Sequence, residues 1–265
     1  MTPDETVLDT EVRIAPRYLA GPAGTDVRAA WPFPFESGWR LHQDTEGDAV
    51  AASPDLNLRA GYRPEFSDFY GRGGGSWRLD LHDYPFDPPL WSVHLGGAVP
   101  TEILHDVNAE VLSLYLDALH SDDIRAVADG TSPVTGYLPL LTAGWSQEIN
   151  PDGHQFFNSP DLLASLRHQY KRGGRSDDAL WSLTVRIPGQ EALWRATFTR
   201  RVPIEVVTAL TSALVDPQPL TRRSGDLPFH VREHFNRSGQ PVRTAPAPSA
   251  LPPPSPAAPA THRTR

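Results

Sequence analysis

The sequence predicts an α+β fold of two tandem repeats, each an antiparallel meander of four to five strands followed by one covering helix, packed as a pseudo-twofold pair. Three observations predict this fold. Motifs recur at a nearly constant spacing, apolar and polar residues alternate over strand-length runs, and a helical pattern closes each repeat. We therefore expect one supersecondary unit that has been duplicated.

The recurring motifs align the second half of the chain with the first at a shift of 103 to 106 residues. Six of the seven tryptophans fall into three matched pairs, which chance does not explain. The matched positions are Gly38, Trp39, Ser53, Pro54, Asp55, Trp77 and Trp91 in the first repeat, and Gly144, Trp145, Ser159, Pro160, Asp161, Trp181 and Trp194 in the second.

The strands are predicted from alternation of period two. In the second repeat, apolar residues from Trp181 to Ile187 alternate with polar ones from Ser182 to Arg186, which is typical of a strand with one buried face. The Ser-Pro-Asp motif has the composition of a tight turn, because proline fixes φ and aspartate bonds to nearby backbone. We expect each copy to join a strand ending near Ala52 or Asn158 to one beginning at Leu56 or Leu162.

A helix is predicted to close each repeat at the motif Val-Pro-x-Glu, residues 99–102 and 202–205. Proline is tolerated in the first turn of a helix, and glutamate is favourable at its positive end. Apolar residues then follow a period of 3.6, which gives each helix one face to pack against its sheet.

These patterns divide the chain into six segments. The predicted segments are an N-terminal extension (1–12), the first repeat (13–120), a linker (121–135), the second repeat (136–216), a connector (217–238) and a disordered proline-rich tail (239–265). The tail holds eight prolines and no acidic residue, a composition that favours extended, unpacked chain.

Composition excludes several classes of protein. The chain has no cysteine, which rules out disulfides and Cys-ligated metals, and no apolar run long enough to cross a bilayer. The N-terminus is acidic and polar, unlike a signal peptide. We expect a cytoplasmic protein with no membrane partner.

The duplicated motifs, together with APRYLAG at 15–21, resemble the SPDY-motif domain, an uncharacterised domain of actinomycete proteins. The resemblance covers roughly residues 13–120 and 136–216. Leu56 and Leu162 stand where the family name has tyrosine. The family has no established activity, so the resemblance implies a duplicated domain without a mechanism.

Motifs for catalysis or metal binding are weak. His230, Glu233 and His234 have the H-x-x-E-H spacing of a zinc-protease helix, but the sequence after them offers only His262 as a further ligand. We find no nucleophile elbow, phosphate loop or dinucleotide fingerprint. The prediction is a protein that is not an enzyme and has no cofactor and no metal site.

Charge is distributed unevenly along the chain. Residues 1–139 hold 9 basic and 22 acidic residues, whereas residues 140–265 hold 15 and 10. Alternation places several of the later basic residues on the solvent side of the second repeat, next to a basic loop. They form a hypothetical nucleic-acid site of Arg167, Lys171, Arg172, Arg175, Arg186 and Arg195.

Two functions follow from this. The first is a binding or adaptor protein of unknown process that acts through contacts with another protein. This function requires the fewest specific sequence features. The alternative is a single-stranded nucleic-acid-binding protein, because the predicted layout is similar to that of Whirly and PUR-repeat proteins. The strand aromatics that could stack on bases are expected on the opposite, helix-covered face.

Overall fold

The computed structural model describes residues 10–24, 26–64, 75–121, 132–169, 179–238 and 243–244. It contains one large antiparallel sheet, a layer of helices on one face of that sheet, and a small sheet formed by segments near the two ends of the chain. The described residues include no helix long and apolar enough to cross a membrane.

The strands are numbered in chain order. They are β1 (Glu11–Ile14), β2 (Arg40–Gln43), β3 (Ala49–Ala52), β4 (Leu58–Arg63), β5 (Ser76–His82), β6 (Pro89–Gly96), β7 (Ser146–Ile149), β8 (Gln155–Asn158), β9 (Ala164–His168), β10 (Ala179–Arg186), β11 (Ala192–Thr199), β12 (Leu220–Arg223) and β13 (Arg243–Thr244). The α-helices are α1 (Val27–Ala30), α2 (Thr101–Ser121), α3 (Val134–Thr142), α4 (Ile204–Val215) and α5 (Phe229–Ser238).

The large sheet has ten strands in the order β2-β3-β4-β5-β6-β11-β10-β9-β8-β7. Each repeat supplies a five-stranded antiparallel meander followed by a helix, α2 in the first and α4 in the second. The predicted fold class is therefore confirmed, with five strands in each repeat.

A pseudo-twofold axis passes between β6 and β11, the strands at which the repeats meet. Their register pairs Val93 with Phe198 and Leu95 with Ala196, with His94 opposite Thr197 between them. His94 and Thr197 are equivalent positions at the repeat shift of 103. Exchange of the two repeats therefore maps this joint onto itself.

Helices cover one face of the sheet and bury its apolar side chains. Helices α2 and α4 contact each other, α1 packs on α2, and α3 packs on α4. The paired strand tryptophans lie on this covered face and are buried, as the alternation predicts: Trp77, Trp91, Trp181 and Trp194. The covered face is thus one continuous core that spans both repeats.

Each Ser-Pro-Asp motif forms a turn locked by its own side chains. In the first copy the Ser53 hydroxyl donates to Asp55 Oδ1 at 2.5 Å and accepts the amide of Leu58 at 3.0 Å. In the second copy Ser159 repeats both bonds, to Asp161 at 2.6 Å and from Ala164 at 2.9 Å. The serine therefore closes the turn onto the first residue of the next strand.

A tyrosine completes each turn from outside. The Tyr115 hydroxyl of α2 donates to Asp55 Oδ1 at 2.7 Å, and its ring packs edge-on against Trp39. In the second repeat the tyrosine comes from the N-terminal segment: the Tyr18 hydroxyl lies 2.7 and 2.9 Å from the two oxygens of Asp161. Helix α4 ends before the position equivalent to Tyr115, so the N-terminal segment replaces its missing turns.

The glycine of each Gly-Trp pair allows a sharp change of direction before the tryptophan. Gly38 and Gly144 have φ of +93° and +81°, a left-handed conformation that favours glycine. The tryptophans that follow, Trp39 and Trp145, are buried beside the turns. The Gly-Trp pair, the Ser-Pro-Asp turn and the tyrosine bonded to that turn form one structural unit in each repeat, which we call the node. The two motifs recur together because both belong to this unit.

The N-terminal segment is bound at several points. The indole Nε1 of Trp194 donates to the Tyr18 carbonyl at 2.9 Å, and Arg17 pairs with Asp216 at 2.6 Å. In the small sheet, ordered β12-β1-β13, the buried Arg222 of β12 binds the carboxylate of Glu102 at the start of α2 at 2.5 and 2.9 Å. The N-terminal segment is thus bonded to the second repeat, and the small sheet is bonded to the first.

Two sequence predictions need correction. Leu56 and Leu162 do not begin strands, which start at Leu58 and Ala164; both leucines lie in the turn with φ of +62°. The expected linker and connector also contain unpredicted structure, since α3 begins at Val134 and the connector includes β12 and α5. These elements are short, and packing on the repeats stabilises them more than their own sequence pattern does.

Some predictions fall outside the described residues. They concern most of the N-terminal extension (1–12), most of the linker (121–135) and nearly all of the proline-rich tail (239–265). Arg243–Thr244 of the tail form β13 and pair with Val12 and Arg13.

The node predicts a stability cost for removing either tyrosine hydroxyl. Tyr115→Phe and Tyr18→Phe should each lower the free energy of unfolding by about 1–2 kcal/mol, because each deletes a donor to a carboxylate. Chemical denaturation at pH 7 measures this. Tyr84→Phe is the control, since its side chain is exposed and should leave stability unchanged. Equal stability of all three variants would contradict the node.

Candidate functional site

The candidate site is the sheet face that points away from the helices, which we call the polar face. Most of its side chains are half-buried or exposed. Cross-strand pairing places them in rows, and the central row runs across all ten strands. In order from β2 to β7 it contains His42, Val50, Gly61, Arg78, His94, Thr197, Ser182, Arg167, Phe156 and Glu148.

Arginine dominates the charge of the polar face. Among the described strand residues that point to this side, the acidic ones are Asp80 and Glu148. The arginines are Arg40, Arg59, Arg63, Arg78, Arg167, Arg186 and Arg195. A chain with a formal net charge of −8 thus presents a locally basic surface on its sheet.

The structure places three of the predicted binding residues together on the second repeat. Arg167 on β9, Arg186 at the end of β10 and Arg195 on β11 all lie on the polar face, among serine and threonine side chains. Arg167 Nε donates to Ser182 Oγ at 3.2 Å. The other predicted residues, Lys171, Arg172 and Arg175, lie outside the described residues.

Three of the four arginines that the first repeat places on the polar face are bonded within the protein. Arg78 forms a salt bridge with Asp80 at 2.6 Å, and Arg63 forms one with Asp48 at 3.3 Å. Arg59 donates to the carbonyls of Leu56 and Pro85. By contrast, no salt bridge joins Arg167 or Arg186 to any residue that the structure describes. Apart from Arg40 on the edge strand β2, the available basic surface is therefore on the second repeat.

His94 lies at the centre of the polar face, on the pseudo-twofold axis. Burial and the nearby Arg78 guanidinium lower the pKa of His94, and the Asp80 carboxylate opposes them. Asp80 also accepts the Ser92 hydroxyl at 2.5 Å. These interactions disfavour the protonated imidazole, and the charged groups that act on it are those of Arg78 and Asp80.

Family comparison matches residues 52–116 and 158–220 to SPDY, described as a domain of unknown function (DUF317). The chain carries two tandem SPDY domains. Each match begins at the strand before a Ser-Pro-Asp turn and runs into or just past the following helix. No curated protein and no solved structure matches the chain.

The Ser-Pro-Asp node of the SPDY domain has the chemistry of a structural lock. Burial raises the pKa of both Tyr18 and Tyr115, and the hydrogen-bonded aspartates raise it further, whereas a tyrosine that acts as a general base needs a lowered pKa. Burial opposes ionisation of Asp55, but hydrogen bonds from Ser53 and Tyr115 hold the pKa of that carboxyl below its usual value. The carboxylate is used to hold the turn.

A cleft of about 600 Å³ lies beside the node of the second SPDY domain, between the N-terminal segment, the end of α4 and α5. Its two carboxylates are already bonded, Asp161 to Tyr18 and Asp216 to Arg17. His230, Glu233 and His234 lie on α5, and no group of three metal-binding side chains occurs in the part of the chain that the structure describes.

Sequence reasoning missed one part of the candidate site. Tyr84 and Phe86 in the β5–β6 turn are exposed, and the backbone of this turn is bonded to Arg59 and His82 of the polar face. The signal in the sequence was the run Tyr-Pro-Phe-Asp-Pro-Pro at 84–89, which alternation does not register. The covered face therefore does not hold all the aromatic residues of the first SPDY domain.

The charges around His94 predict opposite effects of two substitutions. Arg78→Ala should raise the pKa of His94, because it removes a neighbouring positive charge, and Asp80→Asn should lower it. NMR titration of the imidazole protons measures both shifts, with His94→Gln to assign the resonance. An unchanged pKa of His94 in both variants would contradict the placement of Arg78 and Asp80 beside the imidazole.

Proposed function

We propose that this protein is a non-enzymatic binding protein, an adaptor that holds an acidic segment of a protein partner against its polar face. The observation that carries the proposal is the basic surface of the second SPDY domain, where Arg167 and Arg186 lie among hydroxyl side chains and form no salt bridge with any residue that the structure describes. Guanidinium groups bind carboxylates through paired hydrogen bonds.

A protein partner fits this surface better than a nucleic acid for two reasons. The protein as a whole is acidic, and a net charge of −8 repels a polymer with one negative charge per nucleotide more than it repels a short acidic segment. Three of the four arginines that the first repeat places on the polar face are engaged with Asp48, Asp80 and backbone carbonyls, so the basic surface is short. A few carboxylates suffice to neutralise it.

The absence of enzymatic activity belongs to the same proposal. The tyrosine–aspartate hydrogen bond of each node holds a turn in place. The pKa of the buried His168 is lowered to about 4 by burial and by nearby His154. Its ring is stacked on Trp181 within the core. We place the protein in the cytoplasm on the basis of its cysteine-free composition, and the proposal requires no cofactor.

Single-stranded nucleic acid is the second candidate partner. It is favoured by the seven arginines that point to one face of the sheet: Arg40, Arg59, Arg63, Arg78, Arg167, Arg186 and Arg195. Binding by four to six cationic residues would give a slope of log affinity against log salt of about −3 to −4.

Fluorescence anisotropy with two labelled probes distinguishes the candidates: a 12-residue Glu/Ser peptide and an oligothymidylate of 20 nucleotides. We expect the peptide to bind, and Arg167→Ala and Arg186→Ala each to weaken it about two- to fivefold, the value of an exposed ion pair. Arg13→Ala is the control, because it removes the same charge from the exposed surface of the small sheet.

Each outcome has a clear meaning. Binding of the oligonucleotide alone, with the salt dependence given above, would replace the proposal by the nucleic-acid candidate. Equal losses of peptide affinity for Arg13→Ala and Arg186→Ala would show that binding depends only on the net charge of the protein. No binding of either probe at low salt and micromolar protein would show the proposed function to be wrong.

A further inference from the structure

The turn between β5 and β6, residues 83–88, exposes two aromatic side chains. Phe86 is 95 % exposed and Tyr84 is 63 % exposed. An aromatic side chain left almost entirely in water contributes nothing to the core, and patches of this kind mark contact surfaces. We call residues 83–88 the aromatic turn.

The aromatic turn is held in one conformation by hydrogen bonds. The Asp87 amide donates to the Tyr84 carbonyl at 3.1 Å, which closes a four-residue β-turn with Pro85 in its second position and Phe86 in its third. His82 Nδ1 donates to the Asp87 carbonyl at 2.7 Å, and the Arg59 guanidinium donates to the Pro85 carbonyl. Side chains from two strands of the polar face therefore fix the turn from below.

The second SPDY domain provides an internal control. Its β10–β11 hairpin closes with the same bond, from the Gln190 amide to the Ile187 carbonyl at 3.0 Å, and Pro188 occupies the position of Pro85. At the repeat shift of 103, Gly189 stands in place of Phe86. The fold thus closes this hairpin without an aromatic residue, so Phe86 serves another purpose.

Rigidity makes the aromatic turn suited to binding. Pro85, Pro88 and Pro89 restrict its backbone, and the bonds to His82 and Arg59 restrict it further. A side chain presented on a fixed turn loses little conformational entropy when it is buried by a partner. Aromatic residues that enter a pocket in this way supply much of the binding energy of protein interfaces.

We propose that the aromatic turn is an anchor that inserts Phe86, with Tyr84 beside it, into an apolar pocket of a protein partner. Asp87 directly follows Phe86 and is exposed. Its charge matches a pocket with a basic rim and repels the phosphates of a nucleic acid. The partner chemistry is therefore an apolar pocket bordered by lysine or arginine.

The anchor and the basic surface can engage the same partner. Arg59 on β4 supports the turn, and Arg167 on β9 lies five strands away on the same face. At roughly 4.8 Å between neighbouring strands, this separation is about 24 Å. The inference rests on the proposed function only in taking the partner to be a protein.

The test uses the full chain as bait in a nuclease-treated lysate of the native host, followed by quantitative mass spectrometry. The baits are the wild type, Phe86→Ala, and a triple variant with Tyr84→Ile, Phe86→Gly and Asp87→Gln, which copies the turn of the second domain. Phe229→Ala is the matched control, because Phe229 is 59 % exposed on α5. The protein lost with both turn variants is then purified, and its Kd is measured against every bait.

We expect the Kd for this protein to rise about 30-fold with Phe86→Ala, in the range of an interface hot spot, and to stay within about twofold with Phe229→Ala. Arg186→Ala separates the two proposals, since the anchor should still bind when the basic surface is weakened. Melting temperatures should be equal for all baits, because each replaced side chain lies outside the core.

Three results would overturn the anchor. One is the absence of any protein whose capture depends on Phe86. Another is an equal loss of binding with Phe229→Ala, which would mean that any exposed aromatic produces the effect. The third is oligothymidylate binding that Phe86→Ala abolishes, which would make Phe86 a platform for base stacking.

Discussion

The antiparallel pairing of β6 with β11 is the interaction on which the rest of the structure depends. Val93 pairs with Phe198 and Leu95 with Ala196, so the two repeats join through backbone hydrogen bonds as well as through apolar contacts. Without this joint, each five-stranded meander would expose the edge of an eight-residue strand. With it, the edges become the short strands β2 and β7, and helices α2 and α4 are brought side by side.

The joint preserves the symmetry of the core and leaves the surface free to diverge. Both repeats keep the Gly-Trp and Ser-Pro-Asp node with its tyrosine, although Tyr115 comes from α2 and Tyr18 from the N-terminal segment. On the polar face the symmetry is lost, since Ser182 occupies the position equivalent to Arg78. One repeat carries the aromatic turn and the other carries Arg167 and Arg186, which is consistent with a single partner that contacts both.

The sequence predicted the duplicated meander, the covering helices, the burial of the paired tryptophans and the side of the sheet on which Arg167, Arg186 and Arg195 lie. These features depend on periodicity, which a single strand or helix displays by itself. It could not predict that Tyr18 completes the second node, because the Tyr18–Asp161 bond joins residues 143 positions apart. The left-handed conformation of Leu56 and Leu162 was missed for a related reason: hydrogen bonds of the preceding serine impose it. The aromatic turn was missed because exposure of Phe86 depends on what packs nearby.

Hydrogen exchange of the full chain in increasing denaturant tests most directly whether the two repeats form one body. If the β6–β11 joint unites them, amides of the central strands in both repeats will exchange only through global unfolding, with the same free energy and the same dependence on denaturant. Peptides covering β5, β6, β10 and β11 should therefore lose protection together. Loss of protection in β10 and β11 at a denaturant concentration that leaves β5 and β6 protected would show two independent domains and contradict the account.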